Sequence, residues 1–170
     1  MNIVRCKSGQ KIILCFILFA VSSLGYSQAE VDAENIKKED SKGAILDLNK
    51  AIEISNTDSN EYYKRGVSKA ELNHDKEAIA DFTKAIEINP SDADAYYYRA
   101  TIKFKLLDYR GGNADLTKVI EINPKSAQAY YHRGFYSIAL NLKEQGCLDL
   151  SKAGELGYKR AYEMIKGLCN

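Results

Sequence analysis

The 170-residue sequence has no tryptophan, two prolines and two histidines. So few prolines leave long stretches free to be helical, because proline removes an amide donor and clashes with the preceding turn. The two histidines, His74 and His132, stand far apart, and neither has a cysteine or carboxylate arrangement typical of metal ligands, so no metal site is expected. His74 reads as a solvated turn residue and His132 as a packed or rim residue. No G-x-S-x-G, H-E-x-x-H or G-x-x-x-x-G-K-[ST] pattern occurs, which removes the nucleophile elbow, the zinc-protease helix and the phosphate loop. Without a catalytic constellation the sequence reads as a non-enzyme with no cofactor. Charge of one sign is lacking as well. There are 24 basic and 23 acidic side chains, for a formal net charge of +1, whereas non-specific nucleic-acid binding needs a concentrated basic face. A nucleic-acid partner is therefore not expected.

Long hydrophobic runs are absent too. The one continuous apolar run, Ile12 to Val21, is about ten residues, and crossing a bilayer takes roughly twenty. Arg5, Lys7 and Lys11 precede it and small residues, Gly25 and Ser27, follow it. A charged start, a short apolar middle and a small-residue exit make a secretory signal peptide. Residues 1–27 are assigned to it, with cleavage before Gln28, no stable membrane span afterwards, and a periplasmic or secreted destination. The alternative is an uncleaved signal that anchors the chain to a membrane. Cys6 and Cys15 lie in this segment, and neither sits after a small residue at the end of the run, so lipidation is not expected.

Two cysteines remain, Cys147 and Cys169. Gln145 to Leu156 reads as a helix, Gly157 stops it, and Lys159 to Leu168 reads as the next. Folded back about Tyr158, the two cysteines lie at equal distances from the turn, and an antiparallel pair brings such positions together. A Cys147–Cys169 disulfide is expected, worth about 3 kcal/mol for a loop of this size.

What the sequence has in quantity is tyrosine, twelve in all, and a repeat. Tyr62, Tyr96 and Tyr130 recur every 34 residues, as do Tyr63, Tyr97 and Tyr131, and Arg65, Arg99 and Arg133. Residues 59–92 aligned with 93–126 agree at 14 of 34 positions. In the first unit Tyr62 to Leu72 reads as a helix, His74-Asp75 as a turn and Glu77 to Ile88 as a second helix, with Ala78, Phe82, Ala85 and Ile86 at the spacing of one buried face. Pro90 and Pro124 close the first two units. Gly66 with Ala78, Ala100 with Gly112, and Gly134 with Gly146 are small pairs suited to close helix contact. Gly111-Gly112 makes the second unit's outer helix the least secure, because each glycine costs about 1 kcal/mol against alanine.

A 34-residue period with an aromatic, a small residue, a second small residue, an apolar residue and a closing proline resembles the tetratricopeptide repeat. Tyr62, Gly66, Ala78, Phe82 and Pro90 supply the pattern once; Tyr96, Ala100, Gly112, Leu116 and Pro124 supply it again. The third unit has Tyr130, Gly134, Gly146 and Leu150, with Tyr158 in place of the proline. The resemblance implies an all-α, right-handed α-solenoid. Residues 28–43 would be a degenerate first helix and linker, 44–58 a partial repeat, 59–92, 93–126 and 127–158 full repeats, and 159–170 a C-terminal capping helix. It also implies a protein or peptide partner held in a concave groove on the first helices. The positions that line this groove in the family fall on Tyr63, Val67, Tyr97, Thr101, Phe104, Tyr131, Phe135 and Ile138. The family's carboxylate clamp, lysine and asparagine at two of these positions, is not present. The alternative is a self-associating structural repeat protein of the cell envelope, a homo-oligomer built through the solenoid's end faces or its convex side.

Overall fold

The computed structural model describes residues 33–169, and all regular structure among them is helical. The chain divides into a unit of residues 1–40 and a unit of residues 41–170. In the first, residues 33–40 are helical, and Lys38 pairs with Glu34 one turn earlier. The second is the solenoid.

Residues 33–54 are helical without interruption and form α1. The break expected before Ala44 is not there. The reason is local: no proline or glycine pair occurs there, and Glu39 stands where each later hairpin turns through a left-handed residue. Those residues are Asn73, Leu107 and Asn141, with φ of 61°, 63° and 61°, again 34 apart. Helices α2 (Ser59–Glu71) and α3 (Asp75–Ile88) form the first hairpin, α4 (Ala93–Lys105) and α5 (Tyr109–Ile122) the second, and α6 (Ala127–Ala139) and α7 (Lys143–Glu155) the third. Helix α8 (Arg160–Leu168) packs on α7. The first helix of each hairpin begins a few residues before its tyrosine, because an oxygen side chain caps it. Asp58 accepts from the Asn60 amide, Asp92 from Ala95 and Ser126 from Ala129, satisfying donors that a helix start leaves open.

The small pairs set the hairpin spacing. A Cβ on Gly134 would lie 2.8 Å from the Gly146 carbonyl, and one on Gly146 would lie 2.7 Å from the Gly134 carbonyl. On Gly66 it would lie 2.9 Å from the Phe82 ring. Phe82, Leu116 and Leu150, one per hairpin, are 0% exposed. Helix α5 is complete despite its two glycines. Its Asp108 cap accepts from the Gly111 amide, and Gly112 leaves room for the Tyr136 ring, which a Cβ would meet at 2.9 Å.

The arginine that recurs every 34 residues has a repeated task. Arg65 donates two hydrogen bonds to Asp81 at 2.9 and 2.6 Å, and a third to Asn49 Oδ1 of α1 at 2.7 Å. Arg99 does the same with Asp115 and with Thr83 of α3, and Arg133 with Asp149 and Thr117 of α5. Each guanidinium thus joins both helices of its own hairpin to the preceding helix. It also lies over the ring of Tyr62, Tyr96 or Tyr130 at 5.4–5.6 Å, within cation–π range. Tyr62 is buried, whereas Tyr96 and Tyr130 are only partly covered. The three aspartates are buried, and a buried carboxylate persists only when paired and hydrogen-bonded.

Candidate functional site

The first helices of the hairpins carry a continuous chain of aromatic rings. Tyr63 meets Tyr98 at 5.7 Å between centroids, Tyr98 meets Tyr97 at 6.2 Å, and Tyr97 meets His132 at 5.6 Å. His132 meets Tyr131 at 5.3 Å, and Tyr131 meets Tyr158 at 4.6 Å. The tyrosines expected in the groove, Tyr63, Tyr97 and Tyr131, are its alternate members. Tyr98 and His132, each one residue later on its helix, stand between them. Tilted and edge-to-face arrangements dominate the chain, as ring quadrupoles favour.

At the C-terminal end of the chain the surface deepens into a cleft of about 660 Å³. Helix α4 gives Thr101 and Phe104, and α6 gives Gln128, Tyr131, His132, Phe135 and Tyr136. The opposite wall is Tyr158 with Arg160 and Met164 of α8. Phe104 organises the floor, stacking on Tyr136 at 4.6 Å and meeting Phe135 at 5.5 Å. Gln128 donates from Nε2 to the Tyr97 hydroxyl at 2.6 Å, which fixes both side chains at the rim.

Of the eight residues expected in the groove, Thr101, Phe104, Tyr131 and Phe135 line this cleft together. Tyr97 borders it through Gln128 and His132. Tyr63 and Val67 line a separate recess of about 460 Å³ with Ala44 and Leu48 of α1. Ile138 lies at the crossing of α6 and α7, where a Cβ on Gly146 would come within 2.5 Å of its Cγ1, and it does not line the cleft. The wall from Tyr158 to Met164 did not emerge from the family pattern, because it belongs to the segment that departs from it. The buried aspartates have a signal in the sequence: Asp81, Asp115 and Asp149 recur every 34 residues, in step with the arginines.

Burial controls the ionisation of the site. It pushes the Tyr97 hydroxyl up to about 12 and, with the neighbouring Tyr98 and Asp94, the Tyr63 hydroxyl up to about 12. It raises Tyr136 further and lowers His132 below its ordinary value. Near neutral pH the tyrosines are therefore intact phenols able to donate, and His132 is an uncharged ring. Among the described residues no cluster of histidine, cysteine, aspartate and glutamate could hold a metal ion. Among the same residues no helix is long and apolar enough to cross a membrane.

The Cys147–Cys169 disulfide is present, with a Cα–Cα separation of 5.8 Å. It ties the C-terminal end of α8 to α7, and so holds the helix that supplies one wall of the cleft.

The family model described as TPR repeat matches residues 68–106. No curated protein matches the chain. Among solved structures the chain is similar to MamA, at 25% identity over 72% of this chain and 71% of that one, with a TM-score of 0.67. It is similar to YrrB, described as a TPR protein with an unusual peptide-binding site, at 22% identity over 77% and 69%, TM-score 0.68. It is also similar to the first TPR of Spaghetti (RPAP3), solved with an HSP90 peptide, at 21% identity over 65% and 90%, TM-score 0.62. The three hairpins, their 34-residue spacing and this likeness give the described residues the fold of an all-α tetratricopeptide-repeat solenoid.

Proposed function

We propose that the protein binds an extended polypeptide segment in the aromatic cleft between α4, α6 and α8, and does so outside the cytoplasm. The cleft itself carries the reading. Its volume of about 660 Å³ is that of a ligand site, and its lining of aromatic rings with a few polar groups is the usual composition of one. Tyrosine and phenylalanine bury much area for little lost rotamer freedom, which suits them to the centre of an interface. The YrrB and RPAP3 structures, both described with peptide binding, support a peptide ligand for a solenoid of this shape. Export is supported by the charged start and short apolar run of residues 1–27 and by the disulfide, which persists in oxidising compartments. The residues assigned to the signal lie outside the described ones.

Affinity capture with the full chain and with a Phe104→Ala/Tyr131→Ala variant tests the binding. A protein held by the parent and lost by a variant of unchanged helicity supports the cleft. Equal capture by both moves the site elsewhere. N-terminal sequencing of the exported protein tests the compartment, with a start at Gln28 expected and a retained Met1 contradicting it.

A second reading, self-association through the N-terminal face, is favoured by the recess beside α1. Ala44 and Leu48 hold the places of Ala78 and Phe82, which are 0% exposed, yet they are only partly covered, and Leu46 and Ile54 of the same helix are exposed. Sedimentation at rising concentration separates the readings, because a receptor of this kind stays monomeric without its ligand.

A further inference from the structure

The cleft between α6 and α8 is apolar in its walls and cationic at its rim. Arg65, Arg99 and Arg133 each hold an aspartate through two hydrogen bonds. Arg160, which lines the cleft, is exposed, and its guanidinium has no hydrogen bond or ion pair among the described residues. No aspartate or glutamate lines the cleft with it. Its place as the first residue of α8 sets the guanidinium against the positive end of the helix dipole, so α8 does not stabilise the charge either. His132 across the cleft is neutral near pH 7. The lining therefore carries one formal charge, positive, beside a floor of Phe104, Phe135 and Tyr136.

We propose that the occupant of this cleft is an acidic peptide segment, in which an aspartate or glutamate side chain pairs with Arg160. An aromatic or aliphatic side chain of the same segment enters between Phe104, Phe135 and Tyr131. The planar fork of an arginine matches a carboxylate with two parallel hydrogen bonds, and such charge-assisted pairs are the strong ones. The apolar floor supplies area, and the cation selects which apolar segment is accepted. In an extended chain successive residues advance about 3.4 Å, so an acid within about two residues of the apolar side chain brings the two groups to the rim and the floor together. The cation comes from the capping helix, away from the groove positions at which the family's carboxylate clamp is built.

This inference rests on the peptide-binding reading above, and the experiment separates the two. A library of short peptides, acetylated at the N-terminus and amidated at the C-terminus so that only side chains carry carboxylates, is screened against the full chain. Enrichment of peptides with aspartate or glutamate close to an aromatic or aliphatic residue is expected. For an enriched peptide, Arg160→Gln should weaken binding about tenfold, the size of one charged hydrogen-bonded pair. Changing the peptide's acid to its amide should cost the same, and the two changes together little more than either. Phe104→Ala should weaken both peptide forms alike. Circular dichroism checks that each variant keeps its helices. If Phe104→Ala abolishes binding while the acid-to-amide change and Arg160→Gln do nothing, the acidic specificity is overturned and the peptide cleft stands. If enriched peptides ignore all three changes, or if no peptide is enriched, both readings fall.

Discussion

Gly43 and Gly146 are both helical glycines under opposite constraints. A Cβ on Gly43 would have nothing within 4 Å, whereas on Gly146 it would lie 2.5 Å from Ile138 and 2.7 Å from the Gly134 carbonyl. Gly43→Ala should therefore stabilise the chain by up to about 1 kcal/mol through helix propensity alone. Gly146→Ala should destabilise it by about 1–3 kcal/mol despite the same propensity gain, because backbone cannot move aside as a side-chain tip can. Urea denaturation of the two variants beside the parent checks the difference in sign. The buried aspartates make a sharper case. Asp115 holds Arg99 at 2.7 Å and Lys103 at 2.8 Å with little exposure on any partner, so Asp115→Ala leaves two cations short of their counter-charge and should cost about 3–5 kcal/mol. His132 gives stability the same sense of pH dependence as a paired acid, from a different cause. Its folded pKa lies below its unfolded one because burial penalises the charged ring. Its contribution is complete above the ordinary histidine pKa and is lost as pH falls from there through the folded value. The stability lost between pH 7.5 and 5.5 should be smaller in His132→Gln, measured by the same denaturation series.

Each first helix starts at a side-chain cap, turns over through a left-handed residue and returns as a second helix, which ends at an asparagine in the first two hairpins and at Leu156 in the third. Helix α8 is different. It has nine residues and no side-chain cap, and is held by buried Ala161, by the Tyr162 hydroxyl donating to the Gly154 carbonyl at 3.1 Å, and by the disulfide. A helix this short is unstable alone, so the covalent tie matters more here than it would for α3 or α5. Reduction by a dithiol, or the Cys147→Ser/Cys169→Ser pair, should lower stability by about 3 kcal/mol for a separation of 22 residues. Amide exchange should quicken first in residues 160–168. An unchanged exchange rate there would mean that packing alone holds the helix.

In the whole solenoid each element packs chiefly on its neighbours in sequence, so stability is a sum of hairpin and nearest-neighbour terms. An arginine fork ties each hairpin to the helix before it: Arg65 joins α1, α2 and α3, Arg99 joins α3, α4 and α5, and Arg133 joins α5, α6 and α7. The end helices each have one packed side. Hydrogen exchange followed by mass spectrometry should show α4 to α6 as the most protected and α1 and α8 as the least. Uniform protection along the chain would instead indicate a single all-or-none unit.

How much of this was legible beforehand depends on whether a property is local. The 34-residue period, the small pairs, the closing prolines and the apolar faces lie in consecutive residues, and from them the hairpins, their order and the partners of the disulfide followed. Local sequence could not place residues from different hairpins against one another. The positions that follow the expected groove tyrosines, Tyr98 and His132, join the aromatic chain because stacked helices interleave their side chains across a distance no single period encodes. Tyr63 and Val67 are separated from the cleft because α1 and α2 enclose their own recess. Thr101, Phe104, Tyr131 and Phe135 become one cleft only because α8 folds back with Tyr158, Arg160 and Met164 to face them. The repeat determined the scaffold by itself, since each hairpin buries its own face. The cleft was decided by tertiary structure, since its walls come from α4, α6 and α8, and only packing brings them together.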